Sequence, residues 1–482
     1  MMDYDVVIIG GGILGTTVAR ELSRYKLDTV VVEKAYDLGE GATKANSAVL
    51  GAGFHPRGGS LKGISCVQGN KMYRRICSEL GVKVDYIGSL MVAFHPEGID
   101  AIQEKMKKGI KNGAEGLRLI DGDSAREMQP GLSDRVLKAL YAPSTGIIDI
   151  FQLLIRTAQN AAENGVEFKF CCNVEHIERL YGGFLIHTDR GSITARYVVN
   201  TAGENAAAVE SWLRPADLII KPRKGQFYVF DKQPAGKIKY VLYQAQETDE
   251  KGCLLAPTVE GNILAGPTSE DVSGYERVET TSWGLKHIEK IAKKILPEID
   301  MGDVIASFGG VRANIKNVAK EEKDFVVRRS IPGMISTLGI KNPGMTSAPY
   351  LAKMVVEMLV QDGLGLEENI LYHPGVLSAG KKFLESSTAE QAAMIKDDPR
   401  YGNIVCRCEQ VTEGDIVRVL HEPLPPKSLN GLKKRLRCGM GRCQGGFCTP
   451  RILEILSREW KTQPQLIFKS TKGSNPVKGR VK

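Results

Sequence analysis

Apolar residues near the start of the chain fall into two periods in turn. Val6–Ile9 is an unbroken apolar run, too short for a free-standing helix, and reads as a strand covered on both faces. A 3.6-residue period over Leu14–Arg24 predicts a helix, and Thr29–Val32 a second buried strand. This β-α-β opening starts a doubly wound α/β domain. Helical periodicity returns at Lys71–Leu80 and Phe151–Asn164, and strand-like runs fall at Ser89–Phe94, Gly183–Thr188, Tyr197–Asn200, Gln226–Phe230, Asn262–Ala265 and Ile335–Gly339. The later strands are spaced for an inserted mixed, antiparallel-rich sheet. These signals run to about residue 375. The polar segment 376–400 reads as a connector, 401–460 as a separate small module, and 461–482 as a basic tail.

With 482 residues, there is chain enough for several cores. The 42% apolar and 25% charged fractions are those of a globular protein and exclude wholesale disorder and coiled coil. No apolar stretch approaches the roughly 18–20 residues of a membrane span, and no basic segment precedes an apolar run at the start, so a cytoplasmic protein is expected. Membrane association would come through a partner. Charge is divided unevenly. From Tyr401 on there are 16 Lys+Arg against 6 Asp+Glu, while the first 400 residues hold 49 against 50. A solvated surface with a frayed tail at Ser470–Lys482 or a docking face for an acidic partner would each explain this. Nucleic acid is not expected, because no aromatic interleaves with Lys433-Lys434-Arg435-Leu436-Arg437.

The segment Gly10-Gly11-Gly12-Ile13-Leu14-Gly15 fits G-x-G-x-x-G between a strand and a helix. Gly10 permits the tight turn, Gly12 lets backbone approach a pyrophosphate, and Gly15 allows helix and strand to pack closely. Glu33, ending the second strand, can bind a ribose hydroxyl. A dinucleotide site in a Rossmann-like domain follows. Its N-terminal position, the polar loop Gly41–Ser47 and the late loop Lys341–Ser347 favour FAD over NAD. The late loop could aim amides at the flavin's pyrimidine edge.

Cysteines supply a second signal. Cys66, Cys77, Cys171, Cys172 and Cys253 are scattered and read as small buried hydrophobes, whereas five lie between Cys406 and Cys448. Cys406-Arg407-Cys408 with Cys443 and Cys448 offers four thiolates for a [2Fe–2S] cluster or a tetrahedral zinc. Cys438 is an alternative, since it stands as far before Cys443 as Cys448 stands after it. Gly441, Gly445 and Gly446 around Cys443 supply the amide-rich loop that favours the pair Cys443 and Cys448.

With these motifs, Ser60-Leu61-Lys62-Gly63, Val198–Gly203, Ala256-Pro257-Thr258, Gly266-Pro267-Thr268 and Ser307–Arg312 resemble FAD-dependent oxidoreductases of the D-amino-acid-oxidase-like superfamily. The resemblance covers residues 4–375 and is nearest to anaerobic glycerol-3-phosphate dehydrogenase large subunits and L-2-hydroxyglutarate dehydrogenases. The late cysteines resemble the bacterioferritin-associated-ferredoxin-like [2Fe–2S] domain found at that end of the same family. Motif and resemblance together give flavin contacts at Gly10, Gly12, Ile13, Leu14, Gly15, Glu33, Lys34, Thr43, Lys44, Ala45, Asn46, Ser47, Val174, Thr201, Ala202, Gly203, Gly339, Gly344, Met345 and Thr346.

Arg312 stands where the resemblance places an arginine that grips an anionic substrate. A structural ion pair is the alternative. His55 is a candidate base, and the remaining histidines form no constellation. The chain departs from the family at Leu50-Gly51-Ala52-Gly53, where relatives often read Ile-His-Ala-Gly. The implied activity is oxidation of sn-glycerol 3-phosphate to dihydroxyacetone phosphate, with electrons passing from FAD to the cluster and on to an accepting partner subunit. A 2-hydroxy acid or amino acid substrate, or a non-catalytic electron-transfer or zinc-stabilised subunit, are the other readings.

Overall fold

A computed structural model describes residues 2–232, 238–245, 252–317 and 324–479. The first sheet has eight strands, and five of them are parallel, in the spatial order Glu167–Phe170, β2 (Thr29–Glu33), β1 (Tyr4–Ile9), Gly191–Asn200 and Met334–Leu338. Alternate residues of β1 serve different cores. Val6 and Ile8 pack under helices α1 (Ile13–Leu22), Ile150–Glu163 and Gly344–Gln361, while Val7 and Ile9 pack on the other face with Phe184, Ile186 and Val209. Both faces are covered, which is why the run is wholly apolar.

The second sheet has nine strands and comes from two separate stretches, residues 89–142 and 218–317. Its spine is the antiparallel pair Leu218–Phe230 and Val304–Asn317, in register with Arg223 opposite Arg312. The apolar pattern leaves the second of these strands unannounced. Gly309 and Gly310 interrupt it, and a Cβ on either would press within 2.4 Å of Val278 O or Ala45 Cβ.

Several boundaries shift from expectation. The helix expected at Lys71–Leu80 begins ten residues earlier, at Leu61, where the Ser60 side chain accepts from the Gly63 amide and caps it. The connector holds a helix, Thr388–Asp397, started by a capping box of Ser387 and Glu390. Its polar surface hid it from periodicity.

The C-terminal module has a two-stranded hairpin (Ile404–Cys406 with Val411–Thr412) and three helices, Glu413–Leu420, Leu429–Leu436 and Thr449–Glu459. Val405, Ile416, Leu432, Ile452 and Leu456 make its own core. The stretch read as a tail folds back on it through residue 477. Ile467 is buried in that core, Val477 packs on it, and Asn475 donates to the carbonyls of Gln465 and Ile467. The frayed-tail reading of Ser470–Lys482 therefore fails over 470–477; residues 480–482 lie outside the described residues.

Ion pairs fasten module to body. Arg435 forks onto both Asp37 oxygens at 2.7 and 3.1 Å, Lys434 meets Glu40, and Glu409 joins Arg437 of the module to Lys232 of the body.

Candidate flavin, anion and iron–sulfur sites

A cavity of about 570 Å³ opens at the C-terminal ends of β1 and β2, over the N-terminus of α1. Such a helix start, with free amides and a positive dipole end, suits a pyrophosphate. The three motif glycines do different things there. Gly10 has φ of +107°, and a Cβ on it would sit 2.8 Å from Thr201 O. A Cβ on Gly15 would lie 2.0 Å from Gly10 O, so glycine there is demanded by the protein itself. At Gly12 a Cβ would meet only Thr43 Oγ1, at 3.3 Å, and otherwise project into open space. That cradle fits a bound phosphate chain.

Glu33 is half-buried, and the desolvation of its carboxyl pushes its pKa upward. Its two oxygens accept from the amides of Gly11 (2.7 Å) and Ala35 (2.8 Å), which aims the carboxylate at the cavity with acceptor capacity left for hydroxyls. Of the residues anticipated from sequence, Gly10, Gly12, Ile13, Leu14, Glu33, Lys34, Thr43, Val174, Thr201, Ala202 and Gly203 line this cavity. Others do not. Lys44, Ala45 and Asn46 line a neighbouring cavity of about 410 Å³, at the seam with the C-terminal module. Gly339, Gly344, Met345 and Thr346 line neither, nor do Gly15 and Ser47. Met345 O accepts from Tyr73, and Thr346 Oγ1 from the Gly51 amide. Sequence reasoning passed over Asn173, Glu175, Trp212, Thr337 and Ile340, cavity walls that carry no local pattern.

Val311 and Ala313 also line this cavity, so Arg312, between them on the strand Val304–Asn317, turns its side chain to the opposite face of the sheet. The Arg312 guanidinium donates to the carbonyls of Thr268 (2.7 Å) and Lys224 (3.1 Å). No carboxylate pairs with it among the described residues. Burial pushes its pKa down to about 10, with Arg223 adding repulsion. Among the described residues Arg312 thus makes no structural ion pair. A half-buried guanidinium held by carbonyls and left without a counter-charge there suits an anion.

His55 is half-buried against Phe54 and Tyr243, with a buried Nε2 that has no hydrogen-bond partner among the described residues. Burial, with Lys105 nearby, drives its pKa down to about 3. A general base must become protonated, and here that form is strongly disfavoured. Gly51, where relatives often carry histidine, leaves no room without adjustment: a Cβ there lies 3.2 Å from Cys66 Sγ.

In the module the cysteines form two pairs. Cys408 and Cys443 have sulfurs 3.8 Å apart, and Cys406 hydrogen-bonds Cys448. Amides of Phe447 and Gly445 point at the Cys443 sulfur and hold its thiol below the ordinary range. Among the described residues no three His, Cys, Asp or Glu side chains are grouped to hold one metal ion. Two pairs fit a binuclear centre with two thiolates on each iron better than a single tetrahedral zinc. Cys438 is in neither pair, and burial raises its thiol well above the usual range.

A dinucleotide cavity on a doubly wound sheet, an arginine on the wall of a second sheet, and a paired-cysteine module define a flavoprotein oxidoreductase with an iron–sulfur domain. The chain belongs to the FAD-dependent oxidoreductase family, which it matches over residues 5–358, and it carries a BFD-like [2Fe-2S] binding domain at residues 404–458. FAD and a [2Fe–2S] cluster are its cofactors. It is 37% identical to the glycerol 3-phosphate dehydrogenase of Caloramator mitchellensis, over 99% of both chains. It is 24% identical to the anaerobic glycerol-3-phosphate dehydrogenase subunit A1 of Haloferax volcanii, over 94% of this chain and 83% of that one. The dithionite-reduced L-alpha-glycerophosphate oxidase of Mycoplasma pneumoniae with FAD bound superposes with a TM-score of 0.72 at 25% identity, covering 77% of this chain and 98% of that one.

Proposed function

We propose that the protein is a dehydrogenase that oxidises sn-glycerol 3-phosphate to dihydroxyacetone phosphate and releases the electrons through its C-terminal module to a separate acceptor. The full-length likeness to a glycerol 3-phosphate dehydrogenase supports this reading. The observation that carries it is Arg312: a half-buried cation that no carboxylate pairs among the described residues, held by the carbonyls of Thr268 and Lys224 on the strand that also presents Val311 and Ala313 to the cavity. The fork would grip the substrate phosphate and fix the orientation of the alcohol carbon. FAD, when bound, supplies the two-electron oxidation. Gly12 and Thr43 would cradle its pyrophosphate, and Glu33 its ribose. Cys406, Cys408, Cys443 and Cys448 would hold the cluster. Among the described residues no helix is long and apolar enough to cross a membrane; a cytoplasmic location is part of this reading.

The test is an anaerobic dye-reduction screen with glycerol 3-phosphate, 2-hydroxyglutarate, lactate and proline. Glycerol 3-phosphate should give the highest kcat/KM, and a stronger response to a carboxylate substrate would displace the phosphate reading.

A further inference from the structure

The module's charge is sorted by the fold. Of its six acidic residues, Glu409, Glu413, Asp415 and Glu422 have side chains only 4, 7, 3 and 8% exposed. Each is already committed inside. Glu409 binds Lys232 and Arg437, Glu413 binds Arg458 and Asn403, Asp415 caps a helix, and Glu422 binds Arg418. Cations that face inward, Lys434 and Arg435, are consumed by Glu40 and Asp37. Arg407 and several lysines face solvent, and Arg442, Arg451 and Arg458 are more than half exposed beside acidic partners, against Glu454 as the one freely exposed acid of the module. The inward acids and inward cations offset one another, so the module's excess of cations is displayed on its outer surface with few acids between them.

The exposed thiols lie in that surface. Cys408 and Cys443 are exposed, whereas Cys406 and Cys448 are buried. Beside them, the Arg407 guanidinium stacks 4.6 Å over the ring of Phe447, itself 56% exposed. Arg442, next to Cys443, reaches out and touches Asp231 at 3.0 Å. An exposed aromatic under a cation, ringed by further cations, has the composition of an interface centre with a steering rim.

We propose that an acidic one-electron carrier protein docks on this face, over Arg407, Arg442, Phe447 and the thiols of Cys408 and Cys443. The proposal rests on the reading that electrons leave through the module. Basic rim charges would meet the carrier's carboxylates, and Phe447 would supply the small apolar contact of a transient redox complex. Oxidation of one alcohol to a ketone yields two electrons and two protons. Each docking passes one electron outward, so two carrier molecules are reduced per substrate and two protons go to solvent. A lipid surface would meet the cations but could not take the electron.

The test is calorimetric titration of FAD- and cluster-loaded protein with an acidic flavodoxin. At ionic strength of about 0.01 M, where charges reach about 30 Å, binding should be measurable, and at several-fold higher salt it should weaken at least tenfold. Arg407→Glu and Arg442→Glu should each weaken it about tenfold or more at low salt. Lys286→Glu, the same charge change on the exposed face of a body helix, should leave it unaltered. Electron paramagnetic resonance checks the cluster, and if Arg407→Glu loses it, Arg442→Glu carries the test. Binding insensitive to salt and to both substitutions would overturn the proposal. So would absence of flavodoxin binding, with or without Arg407-dependent capture by phosphatidylglycerol vesicles. If glycerol 3-phosphate fails to reduce dyes while flavodoxin still docks, the substrate reading falls and the docking face stands.

Discussion

The sulfurs of Cys408 and Cys443 lie 3.8 Å apart, although 35 residues separate them in sequence. The hairpin Ile404–Cys406 with Val411–Thr412 and the loop before the helix Thr449–Glu459 are brought together by the module's apolar core. Ligand pairing is thus a product of packing. Cys443→Ala and Cys448→Ala should abolish the [2Fe–2S] signal after anaerobic reduction, as read by electron paramagnetic resonance, and leave FAD bound. Cys438→Ala should retain it. Loss in Cys438→Ala with retention in Cys448→Ala would reverse the ligand assignment.

The glycine motif separates a folding requirement from a binding one. Gly12→Val should fold, because its side chain meets little but Thr43, yet purify without yellow colour. Gly15→Ala should lose stability instead, since its Cβ would need to enter the space of Gly10 O, 2.0 Å away. Thermal unfolding and flavin absorbance measured on both variants distinguish the two effects.

Arg312→Lys keeps a charge but loses the planar fork. A kcat/KM decrease on the order of 10–1000-fold is expected, with the flavin still bound and reducible by dithionite. Unchanged turnover would place the anion site elsewhere.

Asp37 and Arg435 form the most buried of the ion pairs between body and module, with side chains 4 and 3% exposed. Burial pushes the Asp37 carboxyl up, but Arg435 and Lys434 outweigh it and hold its pKa below the ordinary 3.8. A depressed carboxylate contributes stability that is present above its unfolded pKa and lost as pH falls through the folded one. Attachment through this pair should therefore be independent of pH from about 5 upward and fail only below 3.8. Asp37→Asn leaves Arg435 buried without its counter-charge and should cost about 3–5 kcal/mol. Limited proteolysis between body and module, followed across pH, measures it.

Much of the frame was legible because its signals are local. β1, the glycine turn and α1 are specified within some twenty residues, and their apolar period and hinge glycines admit one reading. Boundaries failed where the period was masked: by polar residues at the start of the helix Leu61–Leu80, by the polar helix Thr388–Asp397, and by the two glycines inside Val304–Asn317. In the site, Gly10, Gly12, Ile13, Leu14, Glu33 and Thr43 line the cavity, while Gly15, Lys44–Asn46 and Gly344–Thr346 do not.

By itself, then, the sequence determined the α/β frame, the dinucleotide turn and the presence of a late thiolate set, because these depend on short-range backbone geometry and on residue type. Tertiary structure alone decided that no carboxylate pairs with Arg312 among the described residues, that the surroundings of His55 disfavour its protonation, which cysteines pair, and that four of the module's six acids turn inward while Arg407 and Arg442 face out. Each of these is a matter of what surrounds a group in three dimensions: its solvation, its counter-charge and its distance to partners far along the chain. No period or spacing in one dimension encodes them.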